Sequence, residues 1–331
     1  MTRLLNEEQV KSLISVSEIN EVVDKTFEGF GLGEIVNPTK VTLDLGETGN
    51  WPQNEGFMNA MPAYVDWLKV GGQKWVGGFA GERKKIGLPY ITALITLIDP
   101  ELGTFTSVME GSYISNMRTG SQAAVALKYL GKKDTITVGM FGAGLQARTA
   151  TMCIADLYDI DRLVVWNHRR STAEQFKADM EKYVTGEIII ADPDHPEQAT
   201  DNEALFTFTP AQKPFITKEM VKPGTIVFPM GSFEEVSEDL ILSADKIIVD
   251  HIDQALHRGV LKPLTNAGKI SEDDIYCTLG QLAADKVTLT DYSKEIIICI
   301  PIGTGALDVA VAEVVRRRAE QNDVGTVFDF I

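Results

Sequence analysis

Thr135-Ile136-Thr137-Val138-Gly139-Met140-Phe141-Gly142-Ala143-Gly144-Leu145-Gln146-Ala147-Arg148 reads as a strand, a glycine-tight turn and the first turn of a helix. Gly142 lets the backbone reverse sharply. Gly144 has no Cβ to hold a phosphate away, and small Ala147 lets the helix lie close to its strand. The first helical amides, at Leu145 and Gln146, then face an anion. This order of elements suits the pyrophosphate of a dinucleotide. A turn that merely links strand to helix is the alternative, but the β-rich strand before it and the apolar-striped helix after it favour the ligand.

Downstream of this turn, strands and helices alternate as in a doubly wound parallel sheet. A helix over 145–157 leads to a second strand, Arg162 to Trp166. The next helix has Ser171 as its expected N-cap and Ala173, Phe176, Met180 and Tyr183 as its apolar stripe. Short apolar strands follow at 187–191, 204–209, 225–230 and 246–250, giving six in all, with prolines in the connections. The first hundred residues have a different pattern, α+β. A polar, helix-like N-terminus runs into a leading helix over 7–30, followed by strands at 41–45, 74–79 and 90–98. A helix over 115–130 precedes the glycine turn, and an amphipathic helix spans 306–321.

A chain of 331 residues with 44% hydrophobic content can bury a sizeable core and is expected to form two domains. Its 31 basic against 47 acidic residues give a formal charge of −16, which argues against a nucleic-acid partner. No signal peptide and no membrane-spanning apolar run is legible, so a cytoplasmic protein is expected. Cys153, Cys277 and Cys299 are scattered among apolar neighbours and read as buried, reduced thiols. The four histidines have no metal-ligand spacing, and no metal site is expected.

Several pieces, in order, carry a family resemblance over most of the chain. They are Met61-Pro62-Ala63, Lys74 on its strand, Leu88-Pro89, Leu97 to Gly103, Met117-Arg118-Thr119-Gly120, Gly142 to Arg148, Gly231-Ser232, Val249-Asp250 and Gly303 to Ala310. Together they resemble the ornithine cyclodeaminase/μ-crystallin family. The resemblance implies an α/β architecture in which a Rossmann domain, residues 131–304, is inserted in a discontinuous α+β domain, residues 1–130 and 305–331. That second domain would bind substrate and form a homodimer.

The resemblance also implies an α-amino or α-imino acid as substrate and places Lys40, Lys74 and Arg118 at its carboxylate. An arginine grips a carboxylate through two parallel hydrogen bonds. A lysine is a compact charge whose pKa burial can lower into the range of acid/base work. Lys74 suits both holding the carboxylate and relaying a proton to nitrogen, with a solvent-facing strand lysine as the alternative. Arg118 can serve substrate or cofactor phosphate, and Asp308 is placed near the same cleft. Thr119, Thr209, Gly231 and Ser232 complete the implied cofactor contacts, and Trp51, Phe57, Trp75 and Phe79 are candidates for the pocket wall.

Two departures from the cyclodeaminase pattern shift the expected reaction. Ser232 stands where those enzymes carry a catalytic aspartate, and Asn59 stands where they carry a second carboxylate. Neither is a useful base near neutral pH. Reduction of a preformed imine needs less from the protein, namely orientation, a cationic grip and one proton. An NAD(P)H-dependent imine reductase, or amino-acid dehydrogenase in reverse, is therefore expected. A cyclodeaminating lyase with recycled NAD and a non-catalytic crystallin-like binding protein are the alternatives. At the end of the second strand, Asn167, Arg169 and Arg170 replace the acidic residue usual for NAD. They favour NADP(H), with NAD(H) possible.

Overall fold

The computed structural model describes residues 1–45, 56–79, 86–131, 134–231, 233–290 and 292–330. The chain divides into two compact units, Met1–Arg118 with Thr304–Ile331, and Thr119–Gly303.

In the 119–303 unit, eight described strands lie in the order Glu187–Ile190, Asp159–Trp166, Thr135–Phe141, Ala204–Thr207, Ile226–Pro229, Ile297–Ile300, Lys246–Val249, Cys277–Thr278. Every neighbouring pair is parallel. The inner strands are short, Val/Ile/Leu/Phe-rich and wholly buried, as a parallel sheet covered on both faces demands. Phe206 and Phe228 stack at 4.5 Å between centroids in the middle of it. The chain runs outward on one side of Thr135–Phe141 and restarts on the other at Ala204–Thr207. The switch point thus falls at the end of the strand that carries the glycine turn.

The expected six strands are present, and two more join them. Ile297–Ile300 inserts between Ile226–Pro229 and Lys246–Val249, and Cys277–Thr278 forms the edge. Four consecutive apolar residues with no alternation carry no periodicity by which strand and helix can be told apart. Helix Leu145–Leu157 lies where its apolar stripe predicts. The next helix is Arg170–Met180, capped by the Arg169 backbone rather than by Ser171, and it buries Ala173, Phe176 and Met180.

The other unit is built on a mixed sheet ordered Thr326–Phe328, Thr2–Leu5, Phe105–Glu110, Ile91–Ile98, Val70–Phe79, Gly56–Val65, Ile35–Val36, with Val41–Asp44 also paired to Gly56–Val65. Thr2–Leu5 runs parallel to Phe105–Glu110, and the remaining pairs are antiparallel. Helices Val16–Leu32 and Gly305–Gln321 pack against each other, and the latter lies on the three strands from Gly56 to Ile98. The N-terminus is a strand, not the start of a helix. The single helix expected over 7–30 is two, Glu7–Ser12 and Val16–Leu32. The first ends at its C-cap Leu13, and Ser15 starts the second, because its side chain and that of Glu18 satisfy each other's backbone N–H groups in a capping box.

Strand alternation decides which residues this unit buries. Met61, Lys74, Ile95 and Met109 are cross-strand neighbours in one buried row, whereas Trp75 and Leu94, one residue away, are about half exposed on the opposite face. A lysine in such a row needs a polar partner, and the C-terminal helix supplies one.

Candidate active site

The nucleotide turn begins at Gly142, whose φ of +101° is a conformation that side chains resist, and whose missing Cβ leaves room for the Phe208 carbonyl. Gly142 donates its N–H to the Trp166 carbonyl at 2.8 Å, which closes the turn onto the neighbouring strand end. A Cβ at Gly144 would meet nothing within 4 Å, and Leu145 is 60% exposed. The turn therefore presents an open cradle in front of the first helical amides, which have no acceptor within their own helix. Ala147 is fully buried against the sheet, as the motif requires. A dinucleotide pyrophosphate fits this cradle.

Arg148 is a further part of the turn. Its guanidinium bonds back to the Ala143 and Gly144 carbonyls and pairs with Asp179 at 2.9 Å, so it braces the turn from behind. Thr209 and Gly231 lie at the ends of adjacent strands. Thr209 donates both its N–H and its hydroxyl to Glu235 at 2.6 Å, and Gly231 sits beside the same carboxyl. Glu235 also accepts from the Thr207 hydroxyl at 2.6 Å and is fully buried, which raises its pKa above the ordinary carboxylate value. Nothing in the sequence separates Glu235 from Glu234 beside it. Thr119 is buried in helix Ser112–Tyr129, and Ser232 lies outside the described residues.

The loop after the second strand is not arranged as a phosphate clamp. The Asn167 amide donates to the Arg169 carbonyl at 3.0 Å, and Arg170 is paired with Glu174 one helical turn on, at 3.2 Å. These groups serve the start of their own helix.

The basic cluster belongs to the other unit. Lys74 is 2% exposed, and its Nζ donates to Ser115 Oγ at 2.9 Å and lies 2.8 Å from Asp308 Oδ2 as an ion pair. Arg118 Nε donates to Asp308 Oδ1 at 3.1 Å, so one fully buried carboxylate joins both cations. Asp308 is held in the first turn of Gly305–Gln321, whose Ala306 N–H donates to Asn37 Oδ1 at 3.0 Å. Gly305 lies so close to the Met61 carbonyl that a Cβ there would come within 2.4 Å of it. The helix can therefore approach the strand that pairs with Lys74.

Burial and the neighbouring Arg118 charge lower the Lys74 pKa to about 7. Lys40 pushes in the same direction and Asp308 opposes them. Two buried cations and a nearby third against a single aspartate favour an incoming anion, and a lysine titrating near neutrality can give or take a proton there.

Arg118, Asp308 and Lys40 thus all act electrostatically on Lys74, and Ser115, which the sequence did not single out, is bonded to it. Asn59 does not join them. It pairs across the sheet with Val76, and its side-chain oxygen accepts from Thr42 Oγ1 at 2.6 Å. Trp75 does not line this cluster, because alternation turns it to the other face, and Trp51 lies outside the described residues.

Comparison with known proteins agrees with this architecture. The family model of the Ornithine cyclodeaminase/mu-crystallin family matches residues 1–323. The chain belongs to that family. It is 32% identical over 332 residues to the alanine dehydrogenase of Archaeoglobus fulgidus, covering 99% of this chain and 98% of that one. Among solved structures, an archaeal alanine dehydrogenase dimer with bound NAD superposes with a TM-score of 0.90 at 31% identity, covering 100% of this chain and 99% of that chain. Thermococcus litoralis Δ1-pyrroline-2-carboxylate reductase, in complex with NADH and L-proline, gives 0.89 at 27% identity, covering 99% and 100%.

These family members correct the cofactor expectation. Both solved relatives hold NAD or NADH, so the NADP(H) preference drawn from Asn167, Arg169 and Arg170 does not stand. The physical reason lies in the loop. Its amide and one of its guanidinium groups are already engaged within the helix start, and a basic residue there is not by itself a 2′-phosphate site.

Proposed function

We infer that the protein is an NAD(H)-dependent oxidoreductase that reduces an α-imino acid, open-chain or cyclic, to the α-amino acid, and that it runs the reverse reaction when product is in excess. The observation that carries this reading is the buried Lys74–Asp308–Arg118 cluster, in which a lysine of pKa about 7 lies beside an arginine. The 119–303 unit binds the dinucleotide at Gly142, Gly144, Leu145 and Gln146, with Thr119, Thr209, Gly231 and Ser232 as further contacts. When bound, the nicotinamide supplies a hydride to the imine carbon.

This chain's own residues do the rest. Arg118 and Lys40 hold the substrate carboxylate, and Lys74 in its ammonium form delivers a proton to the imine nitrogen as that atom becomes an amine. In the oxidative direction the neutral Lys74 amine accepts the same proton. Asp308 and Ser115 fix the Lys74 ammonium group, and Asp308 also orients Arg118.

The reading includes a homodimer in the cytoplasm. An outward row across the mixed sheet, Val41, Ala60, Trp75 and Leu94 in register, leaves Val41 69%, Trp75 51% and Leu94 55% exposed, an apolar face suited to a second copy. The archaeal alanine dehydrogenase relative is itself a dimer. No described helix is long and apolar enough to cross a membrane. The three cysteines form no disulfide and are buried, with burial raising their pKa values, that of Cys277 to about 12.

The reading is tested by following nicotinamide absorbance with NADH and a panel of pyruvate plus ammonia, pyruvate plus methylamine, Δ1-pyrroline-2-carboxylate and Δ1-piperideine-2-carboxylate. Oxidation of NADH with at least one of them is expected. Release of ammonia from ornithine with no net change in cofactor would instead identify a lyase.

A further inference from the structure

Glu235 is a buried acid that the imine chemistry does not use. It lies beyond the strand Ile226–Pro229, yet its three side-chain hydrogen bonds all go to the end of the adjacent strand Ala204–Thr207 and the loop beyond it. The donors are the Thr207 hydroxyl, the Thr209 hydroxyl and the Thr209 N–H, each at 2.6 Å. Its own carbonyl accepts the Phe215 and Ile216 N–H groups at 3.1 and 3.2 Å, so the far end of the same loop is tied down as well. A Cβ added to Gly231 would lie 3.3 Å from the Glu235 carboxyl, which places the carboxyl directly under the turn after Ile226–Pro229. Burying a carboxyl here is costly unless it is fully hydrogen-bonded. The same geometry would be unnecessary if the loop had only to connect two strands.

The loop concerned is on the far side of the switch point from Asn167 and Arg169. Phe208, between Thr207 and Thr209, has its carbonyl against Gly142, and its N–H donates to the Phe141 carbonyl at 2.7 Å. A dinucleotide laid across a switch point puts one nucleotide on each side of the central turn. The adenosine half then meets the end of Asp159–Trp166, and the nicotinamide half meets the ends of Ala204–Thr207 and Ile226–Pro229.

We propose that Glu235 is the positioning residue for the nicotinamide half of the cofactor, acting through Thr209 and the Gly231 turn and touching neither cofactor nor substrate. The proposal rests on the NAD(H) reading above. It distinguishes the two ends of the dinucleotide, which a general contribution to folding does not.

The test is the affinity of wild type and Glu235→Gln for NADH and for AMP, each followed by protein fluorescence, with thermal unfolding as a check on the fold. Glutamine keeps the size of the side chain but turns an NH2 toward donors that need an acceptor. The proposal expects the NADH Kd to rise about tenfold, the scale of one lost charge-assisted hydrogen bond, with the AMP Kd unchanged within about twofold. Equal weakening of NADH and AMP, or no weakening of NADH, would overturn it. If Glu235→Gln does not fold, Thr209→Val removes one of the three bonds and should raise the NADH Kd about threefold with AMP unaffected; an unchanged NADH Kd would count against the proposal. Failure of the wild-type protein to bind NADH would remove the cofactor reading itself, a result distinct from failure of the variant comparison.

Discussion

Lys74 Nζ lies 2.8 Å from Asp308 Oδ2 inside the protein, although the two residues are more than two hundred positions apart in the chain. Asp308 is the favourable influence on a lysine otherwise surrounded by burial, Arg118 and Lys40, all of which oppose its charge. In the proposed mechanism, proton delivery by Lys74 therefore depends on this aspartate.

Replacing Asp308 with asparagine removes the group that raises the Lys74 pKa, so that pKa falls below its value of about 7. Reduction needs the protonated lysine, so its rate declines as pH rises through the Lys74 pKa. In Asp308→Asn that decline should move to lower pH. A pH–rate profile of NADH oxidation checks this, and an unshifted limb would separate Asp308 from proton delivery. Asp308→Ala, which removes the buried carboxylate that joins Lys74 and Arg118, should also cost about 3–5 kcal/mol of stability by denaturant unfolding.

Arg118→Lys keeps the charge but loses the planar fork that matches a carboxylate. The KM for the imino acid should rise by about 10–100-fold, corresponding to about 1.5–3 kcal/mol, with NADH affinity little changed. Steady-state kinetics with each substrate varied in turn would reveal the opposite pattern if Arg118 instead served the cofactor.

The two turn glycines should behave differently. Gly142→Ala forces a Cβ to within 2.6 Å of the Phe208 carbonyl at a φ of +101°, and it should destabilise the fold by about 1–3 kcal/mol or more. At Gly144 an added Cβ meets nothing within 4 Å, so in Gly144→Val the melting temperature should hold while NADH binding weakens, because the added side chain fills the phosphate cradle. A drop in stability with intact binding for Gly144→Val would contradict the cradle.

Trp75→Asp with Leu94→Lys places charges in the middle of the outward apolar row. The double variant should elute as a monomer in size-exclusion chromatography with light scattering, while the wild type elutes as a dimer. A wild-type monomer would show that this face has no second copy.

The parts legible in the sequence were those whose physics is local. The strand, turn and helix from Thr135 to Arg148 could be read from consecutive residues, because each constraint acts within a few positions. The Ser15 capping box was equally local, yet the apolar periodicity running through it masked the break between helices. Ile297–Ile300 carried no periodicity, and its place in the sheet is set by partners some fifty to seventy residues away. Arg170 misled because a charge near a strand end resembles a ligand for phosphate until its partner, Glu174, is seen.

The basic cluster depended on tertiary placement. Resemblance to the family placed Lys74 and Arg118 together, but Ser115, and Asp308 as the group joining them, follow from strand alternation and from the close approach of a helix to a strand at Gly305. Trp75 and Lys74 part company for one reason. Adjacent residues on a strand face opposite ways, and only the sheet's packing says which face is inside.

The most direct test of the central claim is the rate of NADH oxidation by wild type and Lys74→Met with an imino acid that the wild type reduces, with NADH affinity measured on both proteins. The account predicts loss of turnover by about 100-fold or more in Lys74→Met, with NADH bound as in the wild type. Turnover retained in that variant would contradict the assignment of Lys74 as proton donor and, with it, the mechanism proposed for this site.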